Sequence, residues 1–268
     1  LSEIVLSGAN YLSAIEVSGA GTNATVRDFT ITGYDAVGAG LASTNFIIYQ
    51  PTGNTVIEDC CIHVGKRGPG TNGDDGFGIL TVYFDAAVVI DSVTVTGCSF
   101  DPVTDGGRGF FINPGVGIFS FTNNSINALG SGSSFTQAAD GLIEGNNITG
   151  VGAAGSRLGG IGAWGYPDPS MWGRTTFRGN TITNAFAGPR LLSVEDSIVE
   201  ENIISDCDYG AVVSDFFQPF DATTNVIFNN SFENIEFLAI ENTEAVVVNA
   251  SGNWYGSNLS RSEEHTSE

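Results

Sequence analysis

The residues best suited to acid–base chemistry crowd into one stretch, His63-Val-Gly-Lys-Arg-Gly-Pro-Gly-Thr-Asn-Gly-Asp-Asp-Gly76. It holds the only lysine of the chain and one of its two histidines. Two reactions suit this set. Abstraction of a proton beside a sugar carboxylate needs a base and a cation on that carboxylate. Lys66, Arg67 or His63 supplies the first; Arg108, or a calcium ion held by Asp74 and Asp75, supplies the second. Hydrolysis of a glycosidic bond needs two carboxylates flanking it, here Asp74 or Asp75 with a partner such as Asp105. Against both readings, Asn72-Gly-Asp-Asp-Gly76 is also good turn chemistry.

Three arginines each stand just before an apolar run: Arg108 before Gly-Phe-Phe-Ile, Arg157 before Leu-Gly-Gly-Ile, Arg190 before Leu-Leu-Ser-Val. Aromatic loops follow these runs, one with Trp164, Tyr166 and Trp172, another with Phe216 and Phe217. Guanidinium forks pair with carboxylates, and ring faces stack on sugars. A groove with arginines on one lip and aromatics on the other suits a polysaccharide, so Arg157, Arg190, Trp164, Tyr166, Trp172 and Phe216 are its expected contacts. The competing reading is structural: arginines paired with carboxylates of an acidic protein, tryptophans pinning a long loop.

The element that must position these groups is a returning phrase. It reads FTNNSI (121–126), IEGNNI (143–148), FRGNTI (177–182), VEENII (199–204) and IFNNSF (227–232). Registered on Asn124, Asn146, Asn180, Asn202 and Asn230, the steps are 22, 34, 22 and 28 residues. A step that returns to 22 and otherwise lengthens by insertion describes stacked repeats with variable loops. A large apolar residue lies three before each Asn and another two after it, with polar or small residues between. That alternation is a strand with one buried face. Asn tolerates a left-handed backbone and therefore marks the bend between two short strands. Five in register predict an internal ladder of side-chain amides bonded to one another. The register extends back through Cys98, Cys60 and Phe29. Residues 245–256 add a ninth unit whose register slips at its end.

This pattern resembles the right-handed parallel β-helix repeat family of the pectin-lyase-like type. The expected fold is all-β: one single-stranded right-handed parallel β-helix, a solenoid of about nine coils over residues 1–260. The resemblance implies a substrate groove along one sheet. Asn72-Gly-Asp-Asp-Gly76 is similar to the aspartate motifs of β-helix polygalacturonases, whose Gly-His-Gly and Arg-Ile-Lys motifs this chain lacks. Asn253-Trp-Tyr-Gly256 resembles a phrase near the end of many β-helix proteins, where the aromatics cover the open core.

Composition bounds the rest. Thirty-six glycines in 268 residues and only 15% charged residues suit many short strands and tight turns. Nine basic residues against 30 acidic exclude nucleic acid as a partner. No apolar run reaches membrane-span length. Cys60 and Cys98, about 4.8 Å apart in the stack, have side-by-side Cβ vectors that suit a disulfide poorly, so buried thiols are expected. Residues 261–268 break the composition and resemble a translated sequencing adapter, and the repeat is expected to be truncated at both ends. The expected protein is a secreted or cell-surface monomer that engages polysaccharide, as a lyase or hydrolase of acidic glycans. The alternative is a non-catalytic adhesin-type structural protein.

Overall fold

A computed structural model describes residues 2–5, 13–32, 44–50, 52–64, 76–82, 89–102, 107–129, 134–165, 173–215, 222–244 and 247–256. Among them are 27 strands in three sheets of ten, nine and eight strands, and every pairing between these strands is parallel. Each coil visits the eight-stranded sheet, turns at once into the ten-stranded sheet, crosses to the nine-stranded sheet and returns. Strands neighbouring in a sheet are therefore three apart in sequence order, which is the parallel β-helix that the phrase predicts.

The tight turn between the first two sheets is where the phrase lies. Its left-handed residue is the one just before the ladder position: Asp28, Asp59, Gly97, Asn123, Gly145, Gly179, Glu201, Asn229 and Gly252, with φ between 52° and 72°. The ladder asparagine itself is not left-handed, contrary to the sequence-based expectation. One left-handed residue turns the chain sharply, and the next side chain then points into the bore. Gly, Asn and Asp adopt this backbone at little cost. Only Glu201 departs from those three types.

Inside, like stacks on like. Val26, Ile57, Val95, Phe121, Ile143, Phe177, Val199 and Ile227 pair in sequence along the eight-stranded sheet. Ile31, Ile62, Phe100, Ile126, Ile148, Ile182, Ile204, Phe232 and Tyr255 do so along the ten-stranded sheet. Most are completely buried, each worth roughly 1.5–3 kcal/mol of hydrophobic stabilisation.

Between the two columns runs the ladder. Asn124 donates from its backbone N–H (2.8 Å) and its side-chain amide (3.2 Å) to Oδ1 of Asn146. Asn146, Asn180 and Asn202 repeat the pattern towards Asn180, Asn202 and Asn230. Each amide also donates to a carbonyl of the preceding coil, as Asn146 does to Phe121 (2.9 Å). The buried amides of the ladder are thus paired, which offsets their desolvation cost. Asn230 continues onto Asn253 (2.9 and 3.0 Å), so the register does not slip in the last unit. At the other end the Cys98 N–H donates to Asn124 Oδ1 (2.8 Å) and the Cys60 N–H to Cys98 Sγ (3.5 Å). All four cysteines are free thiols, and Cys60, Cys98 and Cys207 are buried. Burial pushes Cys207 up to about 11; the neighbouring thiol and burial raise Cys98. In the last coil Tyr255 stacks on Phe232 (5.7 Å, 21°), whereas Trp254 remains 54% exposed. One aromatic of that pair therefore covers the core, because alternation sends its neighbour outward.

Candidate functional site

The nine-stranded sheet presents an outer face unlike the other two. In its strand Gly107–Ile112, Phe110 and Ile112 point into the core and Phe111 points out. The outward row runs Leu80, Phe111, Phe135, Gly162, Arg190, Val212 and Glu241 across successive coils. Phe135 is only 6% exposed yet lies outside the interior cluster, as do Leu192 and Val212.

The rings form two runs bridged by the guanidinium of Arg190. Phe77 meets Phe111 edge-on (6.1 Å). Trp164, from the strand Ile161–Trp164, leans across to Phe111 (5.9 Å, 85°) and Phe135 (5.6 Å, 61°). The Arg190 guanidinium lies over Phe135 (5.4 Å) and Phe186 (5.5 Å). Phe186 meets Tyr209, and Tyr209 meets Phe237, each at 5.3 Å. Arg108 lies over Phe77 (5.8 Å) and Phe111 (5.7 Å) at the opposite end. Aromatic and cation–π contacts of these geometries each contribute about 0.5–1.5 kcal/mol. Gly162 permits the central contact. A Cβ there would stand 2.7 Å from Cε1 of Phe135 and from the Arg190 carbonyl oxygen, so any side chain would part the arginine from the ring.

The electrostatics follow from this packing. Burial pulls the Arg190 guanidinium below its ordinary value; Glu241 opposes that shift and Arg108 reinforces it. Arginine is still cationic at neutral pH. The face thus carries two positive charges set among rings, on a chain of net charge −21.

Of the residues expected from sequence, Arg108, Trp164 and Arg190 come together here. The arginines do not stack in one column: Arg108 stands opposite Phe77, and Arg190 lies in the row of Phe111, three positions further along the strand. Arg157 lies apart. Its Nη1 donates to Asp208 Oδ1 (2.7 Å) and its Nε to Asn184 Oδ1 (3.2 Å). The backbone N–H groups of Gly155 (2.8 Å) and Arg157 (3.0 Å) donate to the same carboxylate. With side-chain exposures of 10% and 1%, this pair anchors the loop 152–157 onto the core. The loop meets the end of the ring line, where a Cβ on Gly155 would be 3.6 Å from Phe237. Lys66, Arg67, Asp74, Asp75, Tyr166, Trp172 and Phe216 lie outside the described residues, as do Asp105 and Phe217. That holds also for Asp74 and Asp75 as calcium ligands.

Sequence reasoning missed Phe77, Phe111, Phe135, Phe186, Tyr209 and Phe237. The signal was the Phe-Phe doublet at 110–111: two adjacent aromatics in a strand cannot both face the core.

The model of a right handed beta helix region matches residues 108–262, more than half of the chain. The chain belongs to the right-handed β-helix family. No curated protein sequence matches it.

Proposed function

We propose that the outer face of the nine-stranded sheet binds an acidic polysaccharide, and that the protein works outside the cell or at its surface. The observation that carries this reading is the ring line from Phe77 to Phe237, with Arg108 set over one end and Arg190 bridging its two runs. Rings spaced along a rigid solenoid match the repeating faces of a sugar chain, and the arginines supply cations for its carboxylates. Lys66, Arg67, Asp74 and Asp75 belong to the stretch that rejoins the described chain at Gly76, beside Phe77. A lyase or hydrolase step would use those residues.

The test is calorimetric titration with oligouronates and with a neutral glucan, alongside assays for unsaturated uronide absorbance and new reducing ends. Binding of the oligouronate, weakened about tenfold (1.4 kcal/mol) in Trp164→Ala, supports the assignment. Binding without product makes the protein a non-catalytic adhesin-type binder. No binding of any acidic glycan overturns the reading.

A further inference from the structure

We propose that Cys61, His63 and Asp101 form a binding site for a thiolate-preferring divalent cation, zinc above all. The site lies on the outer face of the ten-stranded sheet, separate from the ring line, and does not depend on the glycan reading.

The fold brings the three together by strand alternation. In the strand Cys61–Val64, Ile62 and Val64 are buried inward, so Cys61 and His63 share the outer face two residues apart. The next strand, Ser99–Pro102, buries Phe100 and turns Asp101 outward directly beside His63 in the ladder. One ligand atom from each residue lies within 4.8 Å of the other two. Cys61 Sγ and His63 Nε2 are 3.7 Å apart. A tetrahedral zinc with Zn–S of about 2.3 Å and Zn–N of about 2.0 Å places its sulfur and nitrogen roughly 3.5 Å apart. The pair is therefore already at ligand spacing.

The surroundings fit as well. Asn127, on the following coil, donates from Nδ2 to Asp101 Oδ1 (2.6 Å), an outer hydrogen bond of the kind that orients a ligating carboxylate. Asn45 Nδ2 donates to the His63 carbonyl (3.2 Å) and steadies that strand. All three side chains are half-buried, so a cation can reach them. A thiol–imidazole hydrogen bond accounts for the first pair; the Asp101 carboxylate, at ligand distance from both, completes a three-ligand set. Three protein ligands leave a fourth position for water, the arrangement of open rather than closed zinc sites.

The test is titration of the reduced full chain with Co²⁺, which reports a thiolate ligand by an intense near-ultraviolet charge-transfer band. The expected result is one equivalent bound, with that band, displaced by Zn²⁺. Cys61→Ser abolishes the band, because Cys60, Cys98 and Cys207 are buried in the core. His63→Gln leaves every thiol in place and lowers cobalt affinity at least about tenfold; Asn127→Ala lowers it about tenfold through Asp101. Far-ultraviolet circular dichroism checks that each variant keeps the fold. Absence of the thiolate band in the wild type, its persistence in Cys61→Ser, or unchanged affinity in His63→Gln overturns the site.

Discussion

Arginine serves opposite ends on two outer faces of the same solenoid. On the eight-stranded sheet, Arg27 pairs with Glu58, Arg174 with Asp140 (3.2 Å), and Arg178 with Glu144 (2.7 Å) and Glu200 (3.8 Å). Each of these pairs joins neighbouring coils in register. On the nine-stranded sheet, Arg108 and Arg190 lie over rings. Their titration reflects the contrast. The hydrogen bond to Glu144 raises Arg178, whereas burial lowers Arg190. An arginine clasped by a carboxylate in water is already neutralised and adds little. Arg108 and Arg190 instead set their guanidiniums over rings, in a poorly hydrated setting where electrostatic interactions are stronger. The lesson is that cross-coil register decides which neighbours an arginine meets.

Four substitutions test that contrast. The largest effect belongs to the buried pair beside the ring line. Asp208→Ala leaves Arg157 and two backbone N–H groups without their carboxylate and should cost about 3–5 kcal/mol in urea unfolding; a cost near zero would mean that the pair is as dispensable as those on the open face. Arg190→Ala removes the cation from two rings and should lower stability by about 1–2 kcal/mol while weakening oligouronate binding, whereas Arg178→Ala should change neither measurably. If Arg178→Ala weakens binding as much, the two faces do not differ. The smallest effect is Glu201→Asn, which places a left-handed-tolerant residue in the turn column and should stabilise by about 0.5–1 kcal/mol; it leaves glycan binding untouched if the turn edge is only scaffold.

The scaffold was legible in the sequence and the site only partly so. Asn124 to Asn230 could be registered from the chain alone because every rung repeats the same local phrase. The left-handed position was misplaced by one residue, since Asn123-Asn124 and Asn229-Asn230 offer two asparagines and only packing shows which one points inward. Trp164 and Arg190 were found by type. Their true neighbours, Phe111 and Phe135, were not, because insertions between coils conceal which side chains stand one above another.

Sequence alone determined a stack of coils with an apolar bore and an amide ladder, because alternation and turn chemistry act over a few residues. Tertiary structure decided the rest. It set Arg190 between Phe135 and Phe186, tied Arg157 to Asp208 across 51 residues, and brought Asp101 to Cys61 and His63. Each of these meetings depends on cross-coil register, and that register is set by the long-range pairing of strands whose connecting loops differ in length.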